Sequence, residues 1–249
     1  MTILCYHTVD PGWDSDLSVT TRDFSAQCRW LQARRKVVPL SAALTSVDRY
    51  GRVGRGRIAV TFDDGLTGIY DHAFEHLLQR QIPATVFVVA GTLTQDAKAD
   101  WVDDAPPGGL TTLTKEQILE LHGAGVTFGS HTLSHPDLTA IDERECEKEL
   151  EHSKTILEDL LREKVEVLAY PSGLHNDRVR AIAQRTGYTH AVGTSRTASN
   201  GRFGIPRVGI YRGEGVGALR IKDSRWYLRL RTSRLYRSMK AQRTRDEER

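Results

Sequence analysis

The run Ile58–Gly65, Ile-Ala-Val-Thr-Phe-Asp-Asp-Gly, constrains the fold more than any other part of the chain. Its alternating apolar residues predict one buried face of a strand. Asp63 and Asp64 follow directly at the end of that strand, and the glycine permits a sharp turn. Two adjacent carboxylates at the end of a buried strand repel each other. They therefore require a metal ion, an arginine or a bound proton beside them.

Around this run, β-branched apolar segments alternate with segments of helical periodicity along most of the chain. Among them, residues 37–40 are predicted to be a short strand, and a helix over about residues 67–80 is predicted to bury Tyr70, Phe74, Leu77 and Leu78. The order predicts an α/β fold of about seven or eight strands in a parallel sheet, either open or closed into a barrel. A length of 249 residues suits one such domain. We expect a catalytic domain over residues 1–215 and a basic C-terminal helix and tail over residues 216–249.

Polar residues follow four separate predicted strands. They are His7, the pair Asp63 and Asp64, His131, and the turn that begins at Pro171. Because the carboxyl ends of parallel strands form the functional face of α/β folds, these segments are predicted to meet at one rim.

Two histidine pairs have the same four-residue spacing. On one helical turn, His131 and His135 can share a cation, and one carboxylate of the acidic pair would complete a His₂-carboxylate set with open positions. The alternative is a pair of hydrogen-bonded loop histidines. His72 and His76 lie within an amphipathic helix, and we expect them to face solvent without a metal.

Two motifs resemble those of a known family. Thr61–Gly65 (Thr-Phe-Asp-Asp-Gly) and Ser130–Pro136 (Ser-His-Thr-Leu-Ser-His-Pro), about 65 residues apart, are similar to the first two motifs of the polysaccharide deacetylases. This group is also called the NodB-homology group or carbohydrate esterase family four. The resemblance covers roughly residues 55–210 and the first strand, and it implies a single-domain distorted (β/α) barrel of about seven strands.

The resemblance also implies roles for these residues. Asp64, His131 and His135 would hold a divalent metal, most simply Zn²⁺, with Co²⁺, Ni²⁺ or Mn²⁺ as alternatives. Asp63 would be the general base that takes a proton from the attacking water. The turn Tyr170-Pro171-Ser172 resembles the third family motif, and a backbone N–H near Ser172 would hold the oxyanion.

The chain departs from the family pattern at three points. Ala169 stands where the third motif has an arginine, Ser172 replaces a usual aromatic residue, and no late Leu-x-x-His motif supplies a general acid. However, Leu4-Cys5-Tyr6-His7 resembles the N-terminal stretch of a circularly permuted subgroup, the poly-N-acetylglucosamine deacetylases. That resemblance makes His7 the general acid. We also predict that Arg207 replaces the missing arginine beside Asp63.

Three further features have open interpretations. Trp101, in a long insertion over residues 91–113, either forms a sugar-stacking wall or plugs the edge of the core. His175 either lines the cleft or is an ordinary histidine without a functional role. The C-terminal segment either lies on an anionic membrane surface or packs on the barrel as a solvated basic helix.

Charge and cysteine content narrow the class of protein. Residues 216–249 carry 11 Lys/Arg against 4 Asp/Glu, so the rest of the chain, within a total of +3, has a net charge of −4. This is not the pattern of a nucleic-acid-binding domain. Three scattered cysteines, an N-terminus without signal-peptide features and no long apolar run favour a cytoplasmic location, with membrane association through the C-terminal helix as a variant.

The family resemblance implies a metal-dependent hydrolase that removes the acetyl group from an N-acetylated amino sugar in a glycan, a lipid-linked sugar or a glycoside. One alternative is an amidohydrolase of the same fold that acts on a small non-sugar amide. The other is a non-catalytic glycan-binding protein. The identity of the sugar, the native metal and the oligomeric state stay open.

Overall fold

The structure is a computed structural model that describes residues 2–34, 37–54, 56–94, 98–194 and 201–231. Its strands in chain order are β1 (Thr2–Tyr6), β2 (Thr8–Val9), β3 (Ser18–Val19), β4 (Ile58–Phe62), β5 (Ala84–Val88), β6 (Thr127–Ser130), β7 (Val167–Ala169), β8 (His190–Thr194) and β9 (Ile205–Gly209). Its α-helices are α1 (Thr21–Arg34), α2 (Leu40–Tyr50), α3 (Phe74–Gln79), α4 (Lys115–Gly123), α5 (Glu143–Leu161), α6 (Asp177–Arg185), α7 (Val216–Lys222) and α8 (Arg225–Arg231).

Seven of these strands close into a parallel barrel in the order β1-β4-β5-β6-β7-β8-β9. This confirms the predicted (β/α) barrel and decides between the open and closed alternatives. The strands are buried on both sides, between an apolar barrel interior and the surrounding helices, as parallel strands usually are.

The register of the barrel brings the ends of distant segments together. Strand β1 lies between β4 and β9, and Tyr6 pairs with Phe62 in β4. His7 therefore leaves the barrel beside Asp63, although 56 residues separate them in the chain. Phe62 also pairs with Val86 in β5. The last residue of β5, Val88, pairs with Ser130 at the end of β6, so His131 leaves the barrel at the same rim.

The insertion after β5 folds over the mouth of the barrel. Its residues 98–113 form a small apolar cluster that contains Ala99, Leu110 and Trp101 and packs on Trp13 and Leu66. The Nε1–H of Trp13 donates a hydrogen bond to the Asp104 carbonyl at 2.9 Å. This cluster is separate from the main core, so it fixes one wall of the mouth without filling the barrel.

Two local predictions were wrong. Residues 37–40 were expected to be a strand, but only Val37 bridges to Ile58, and α2 begins at Leu40 after Pro39, which has no N–H to continue a ladder. The helix after Gly65 was expected to bury Leu78, which is 53% exposed. A π-helical turn over Ile69–Ala73 adds one residue to that turn and rotates the buried stripe.

The C-terminal segment was predicted as one helix but forms α7 and α8 with a break between them. Asp223 ends α7 and accepts hydrogen bonds from the Thr2 hydroxyl at 3.0 Å and from Arg34 at 3.3 Å. Leu219 packs into the main core, so α7 lies on the barrel. Residues 232–249 of the predicted tail lie outside the described residues. No helix in the described part of the chain is long and apolar enough to cross a bilayer.

Candidate active site

A cavity of about 500 Å³ opens at the carboxyl ends of the barrel strands. It is lined by residues from the four segments that we predicted to meet at this rim, together with residues of the insertion and of helix α8. The lining side chains discussed below are Cys5, His7, Asp63, Asp64, Trp101, His131, His135, Ser172, Arg207, Tyr227 and Arg231.

Asp64, His131 and His135 form a compact group of metal-ligating atoms. Asp64 Oδ1 lies 3.5 Å from His131 Nε2 and 3.4 Å from His135 Nε2. All three side chains are largely buried, and the two imidazole rings are 4.8 Å apart. Uncharged imidazole nitrogens and a carboxylate oxygen at such distances are the donor set of a catalytic zinc-type site.

The surroundings of the two histidines favour the forms that can bind a metal. His131 Nδ1 lies 2.8 Å from the Ala169 carbonyl, which can only accept, so Nδ1 carries the proton and Nε2 presents its lone pair to the group. Burial, reinforced by the neighbouring His131, lowers the pKa of His135 to about 4. His135 is therefore neutral at pH 7, as a metal ligand must be.

Unusual backbone geometry places these ligands. Asp64, Thr132 and His135 all have φ between 62° and 71°, in the left-handed region that non-glycine residues seldom adopt. For the β-branched Thr132 this conformation is a marked outlier. Such strain persists only where surrounding contacts enforce it, and it concentrates at functional sites.

Glu149 supplies those contacts for the histidine loop. Its Oε2 accepts hydrogen bonds from the N–H groups of Leu133 and Ser134, both at 2.9 Å, and its Oε1 accepts from the Ser134 hydroxyl at 2.6 Å. The Thr132 hydroxyl accepts from the His135 N–H at 3.0 Å. No local pattern in the sequence marks Glu149, since it is one of many acidic residues on α5 and only the fold brings it to the loop.

Asp63 has a different partner from its neighbour Asp64. The Arg207 guanidinium donates to Asp63 Oδ1 and Oδ2, both at 2.6 Å, and to the Thr61 hydroxyl at 3.1 Å. Both side chains are almost fully buried, and the guanidinium lies over the Phe87 ring at 5.2 Å. Arg207 thus lies beside Asp63, as we predicted for a residue that replaces the missing arginine of the third motif.

This pairing fixes the charge on Asp63. Burial alone would raise the pKa of its carboxyl, but the adjacent Arg207 charge outweighs burial and holds the pKa well below its usual range. Burial would likewise lower the pKa of Arg207, and Asp63 reverses this. The pair is therefore fully ionised at neutral pH.

His7 and Cys5 complete this side of the cavity. His7 is half-buried, and its Nδ1 is buried without a hydrogen-bond partner among the described residues. Cys5 Sγ lies 3.2 Å from Asp63 Oδ2. Ligating atoms of Cys5, His7 and Asp63 lie within 4.8 Å of one another. The sequence singled out His7 but not Cys5, which has the spacing of an ordinary apolar strand residue.

Trp101 contacts the ligand group directly. Its indole N–H donates to Asp64 Oδ1 at 3.2 Å, and its ring stacks on the His135 imidazole, with centroids 5.1 Å apart and planes 22° apart. Trp101 also belongs to the apolar cluster of the insertion. Both of its predicted interpretations thus have a counterpart here, since it lines the cavity and anchors the insertion.

The third-motif turn contributes only in part. Ser172, with φ 53°, and Gly173 line the cavity. Tyr170 and Pro171 do not line it, although we predicted them there, because both are buried and Tyr170 packs in the main core. The Tyr170 hydroxyl donates to the Phe203 carbonyl at 3.1 Å. His175 packs on the Tyr170 ring at 4.6 Å and also stays outside the cavity.

Two other predicted features are placed by the structure. Tyr227 and Arg231 of α8 line the cavity, so the C-terminal segment forms part of its wall. His72 and His76 do not face solvent as expected. They are half-buried, and His76 lies against Phe24 with ring centroids 6.3 Å apart.

Known proteins similar to this chain include deacetylases. The chain is 26% identical over 216 residues to the Putative polysaccharide deacetylase YxkH of Bacillus subtilis, which covers 85% of this chain and 71% of that protein. It is 23% identical over 203 residues to the Poly-beta-1,6-N-acetyl-D-glucosamine N-deacetylase of Staphylococcus aureus strain MRSA252, over 77% of this chain and 67% of that protein.

A solved structure shares the fold. The Streptococcus pyogenes deacetylase PplD, determined in complex with acetate, superposes with a TM-score of 0.74 at 23% identity, covering 90% of this chain and 98% of that one. The sequence profile described as Polysaccharide deacetylase matches residues 50–191, more than half of the chain. With the motifs, the barrel and the rim residues in agreement, this chain belongs to the polysaccharide deacetylase family.

Proposed function

We propose that this protein is a metal-dependent hydrolase that removes the acetyl group from an N-acetylated amino sugar. One observation carries the proposal. A His₂-carboxylate group, formed by Asp64, His131 and His135, lies in the same cavity as a second carboxylate that an arginine keeps ionised. A site that only binds glycans needs neither of these features.

The residues present fit a divalent metal. Three donor atoms converge, the His131 tautomer is set by the Ala169 carbonyl, and His135 is neutral at pH 7. The His₂-carboxylate set favours Zn²⁺, and Co²⁺, Ni²⁺ and Mn²⁺ accept the same donors. The low pKa of Asp63 makes it a weak base, so the attacking water must be made more acidic. A metal held here would lower the pKa of a bound water to about 7 and polarise the amide carbonyl.

The reaction balances as a simple hydrolysis. The water oxygen bonds to the acetyl carbon, the amide C–N bond breaks, and the products are acetate and a free amine. Asp63 takes a proton from the water, and Arg207 holds its carboxylate in place. His7, on the same side of the cavity, donates a proton to the leaving amine, since an amine anion cannot leave from an amide.

The substrate class follows from the relatives. A protein 23% identical to this chain is a deacetylase of poly-β-1,6-N-acetyl-D-glucosamine, and the family profile covers the catalytic motifs here. We therefore propose a β-linked N-acetylglucosamine chain or an oligomer of it as substrate. The Ser172 N–H, in the turn at the cavity, is directed to the oxyanion, whereas the Gly173 N–H donates to the Tyr170 carbonyl at 2.8 Å and only helps to hold the turn.

The test is an acetate-release assay on N-acetylglucosamine oligomers, with the purified protein stripped of metal and then reloaded with Zn²⁺, Co²⁺, Ni²⁺ or Mn²⁺. We expect release only with metal, and a loss of about a hundredfold to ten-thousandfold in kcat for Asp63→Asn with its bound metal unchanged. Wild-type rate in Asp63→Asn would remove Asp63 as the base. Release from small acyl amides but from no sugar would favour the non-sugar amidohydrolase, and glycan binding without release would favour the binding protein.

A further inference from the structure

The cavity contains a thiol that the proposed mechanism does not use. Cys5 is the fourth residue of β1, it pairs with Thr61 in β4, and its Sγ lies 3.2 Å from Asp63 Oδ2. Its side chain is 6% exposed, through the cavity that it lines. Cys28 and Cys146 are also buried and free, but neither lines this cavity.

The thiol is a hydrogen-bond donor to the carboxylate. Burial raises the pKa of Cys5 well above its ordinary value, and the nearby Asp63 charge acts in the same direction against the opposing charge of Arg207. Cys5 is therefore an S–H group at neutral pH. The ionised Asp63 can only accept, and its Oδ2 at 3.2 Å is a closer, charged acceptor for the S–H than the Tyr6 carbonyl at 3.8 Å, so we assign the S–H to Asp63.

Counting acceptor sites shows what this donor does. An ionised carboxylate has about four lone-pair sites, two on each oxygen. On Asp63, Oδ2 accepts from Arg207 and from Cys5, whereas Oδ1 accepts from Arg207 alone among the described residues. Oδ2 is thus saturated, and Oδ1 retains one site for a proton.

A second metal site is the competing interpretation, because Cys5, His7 and Asp63 have ligating atoms within 4.8 Å of one another. Two observations count against it. Both carboxylate oxygens of Asp63 are already bound by the Arg207 guanidinium, whose positive charge would repel a cation placed there. A metal would also have to displace the proton of a buried thiol.

We propose that Cys5 is a positioning residue for the proposed base. Its S–H occupies the second acceptor site of Asp63 Oδ2 and directs proton uptake to Oδ1. This inference rests on the proposed function for its effect on rate, whereas the hydrogen bond itself can be tested without catalysis.

The kinetic test compares Cys5→Ser with Cys5→Ala, with Cys28→Ala and Cys146→Ala as matched controls. We expect kcat for acetate release to fall about three- to tenfold in Cys5→Ala with KM unchanged, because one donor to a charged group is lost. The serine variant should recover most of the rate, since its hydroxyl donates in place of the thiol. The controls should keep wild-type kcat.

The second measurement is the infrared S–H stretching band, obtained as the difference between wild type and Cys5→Ser. We expect this band at lower frequency than those of Cys28 and Cys146, and Asp63→Asn should shift it upward because a neutral acceptor is weaker. A band that Asp63→Asn does not move would overturn the hydrogen bond, even in a protein that releases no acetate.

Two results would overturn the positioning role while leaving the proposed function intact. One is an active wild type whose Cys5→Ala variant keeps full kcat, or whose serine variant is as slow as the alanine variant. The other is a second equivalent of Cd²⁺ bound with thiolate-to-metal absorption that disappears in Cys5→Ser, which would make the cluster a metal site.

Discussion

The chain contains the same histidine spacing twice, and only one copy forms a ligand group. His131 and His135 follow β6 in a strained loop, and both ring nitrogens lie within 3.5 Å of Asp64 Oδ1. His72 lies in the π-helical turn and His76 in α3 directly after it, and neither belongs to a cluster of three ligating side chains within the described ranges.

The difference lies in what surrounds each pair. At the barrel mouth, four groups converge on the loop histidines: a carboxylate that follows β4, the last carbonyl of β7, a glutamate of α5 and an indole of the insertion. The helical pair has no such set among the described residues, since His76 lies against the Phe24 ring and near the positive charges of Arg29 and Arg80. Spacing brings two imidazoles together, but the fold supplies the charge and orientation that make them ligands.

The largest effect should come from removing a ligand. His131→Ala or His135→Ala should lower acetate release by about a thousandfold or more, since several kcal/mol of metal assistance would be lost. His72→Ala and His76→Ala have the same spacing and should keep both rate and bound metal. Elemental analysis of the four dialysed variants measures the metal, and equal metal loss in both pairs would break the comparison.

The Asp63–Arg207 pair should give the next largest effect. Arg207→Met leaves a buried carboxylate unpaired, which should cost about 3–5 kcal/mol of unfolding free energy and about a hundredfold in rate. Arg202→Met is the control, because Arg202 pairs with Asp48 at 2.6 Å but is 56% exposed and should cost at most about 1 kcal/mol. Chemical denaturation measures both variants.

Adding Asp63→Asn to Arg207→Met should restore part of this stability without restoring rate, because no buried charge is then left alone. If the double variant is as unstable as Arg207→Met, then packing of the arginine on Phe87, rather than charge pairing, dominates the effect.

The same pair predicts a dependence of stability on pH. The pKa of Asp63 in the folded protein lies below its value of about 3.9 in the unfolded chain. As the pH falls toward 4, the unfolded chain therefore begins to bind a proton at Asp63 while the native state keeps this carboxylate ionised. Its stabilisation is complete above the unfolded pKa and is lost as the pH falls through the folded one. The gap in unfolding free energy between wild type and Asp63→Asn should therefore narrow below about pH 4.

The sequence predicts those parts of the site that have a local pattern, and it does not predict those that depend on long-range packing. The barrel and the ligand residues follow from local patterns, because strand ends and two short motifs mark them in order along the chain. The position of Arg207 beside Asp63 required the closure of β9 onto β1, which the sequence indicated only through strand order. Glu149 and Cys5 have no local signal, since a helix glutamate and an apolar-strand cysteine are common.

The wrong elements have equally physical causes. The π-helical turn at Ile69–Ala73 is invisible to a search for a 3.6-residue period, and it moves Leu78 to the surface. Pro39 interrupts an apolar run that otherwise reads as a strand. In both cases one backbone event changes which side chains are buried.

Glu149 should have a smaller effect, because it acts on the ligands through the loop. Glu149→Gln keeps an acceptor for the loop N–H groups but loses the charge, and it should weaken metal affinity about tenfold. Glu151→Gln, two residues away and exposed on the same helix, is the matched control. Competition with a chelator measures the affinity, and an equal change in both variants would show a general charge effect instead.

Trp101 should give the smallest effect and the finest test of what surrounds the loop histidines. Trp101→Phe keeps an aromatic ring against His135 but removes the N–H that donates to Asp64 Oδ1 at 3.2 Å. A carboxylate that loses one donor offers more charge to a metal, so affinity should be kept or rise slightly while kcat falls about threefold. Trp13→Phe removes an indole N–H from the same apolar cluster, but that group donates to the Asp104 carbonyl. It should therefore lower stability without changing metal affinity, and a matching fall in kcat would assign the Trp101 effect to the packing of the insertion.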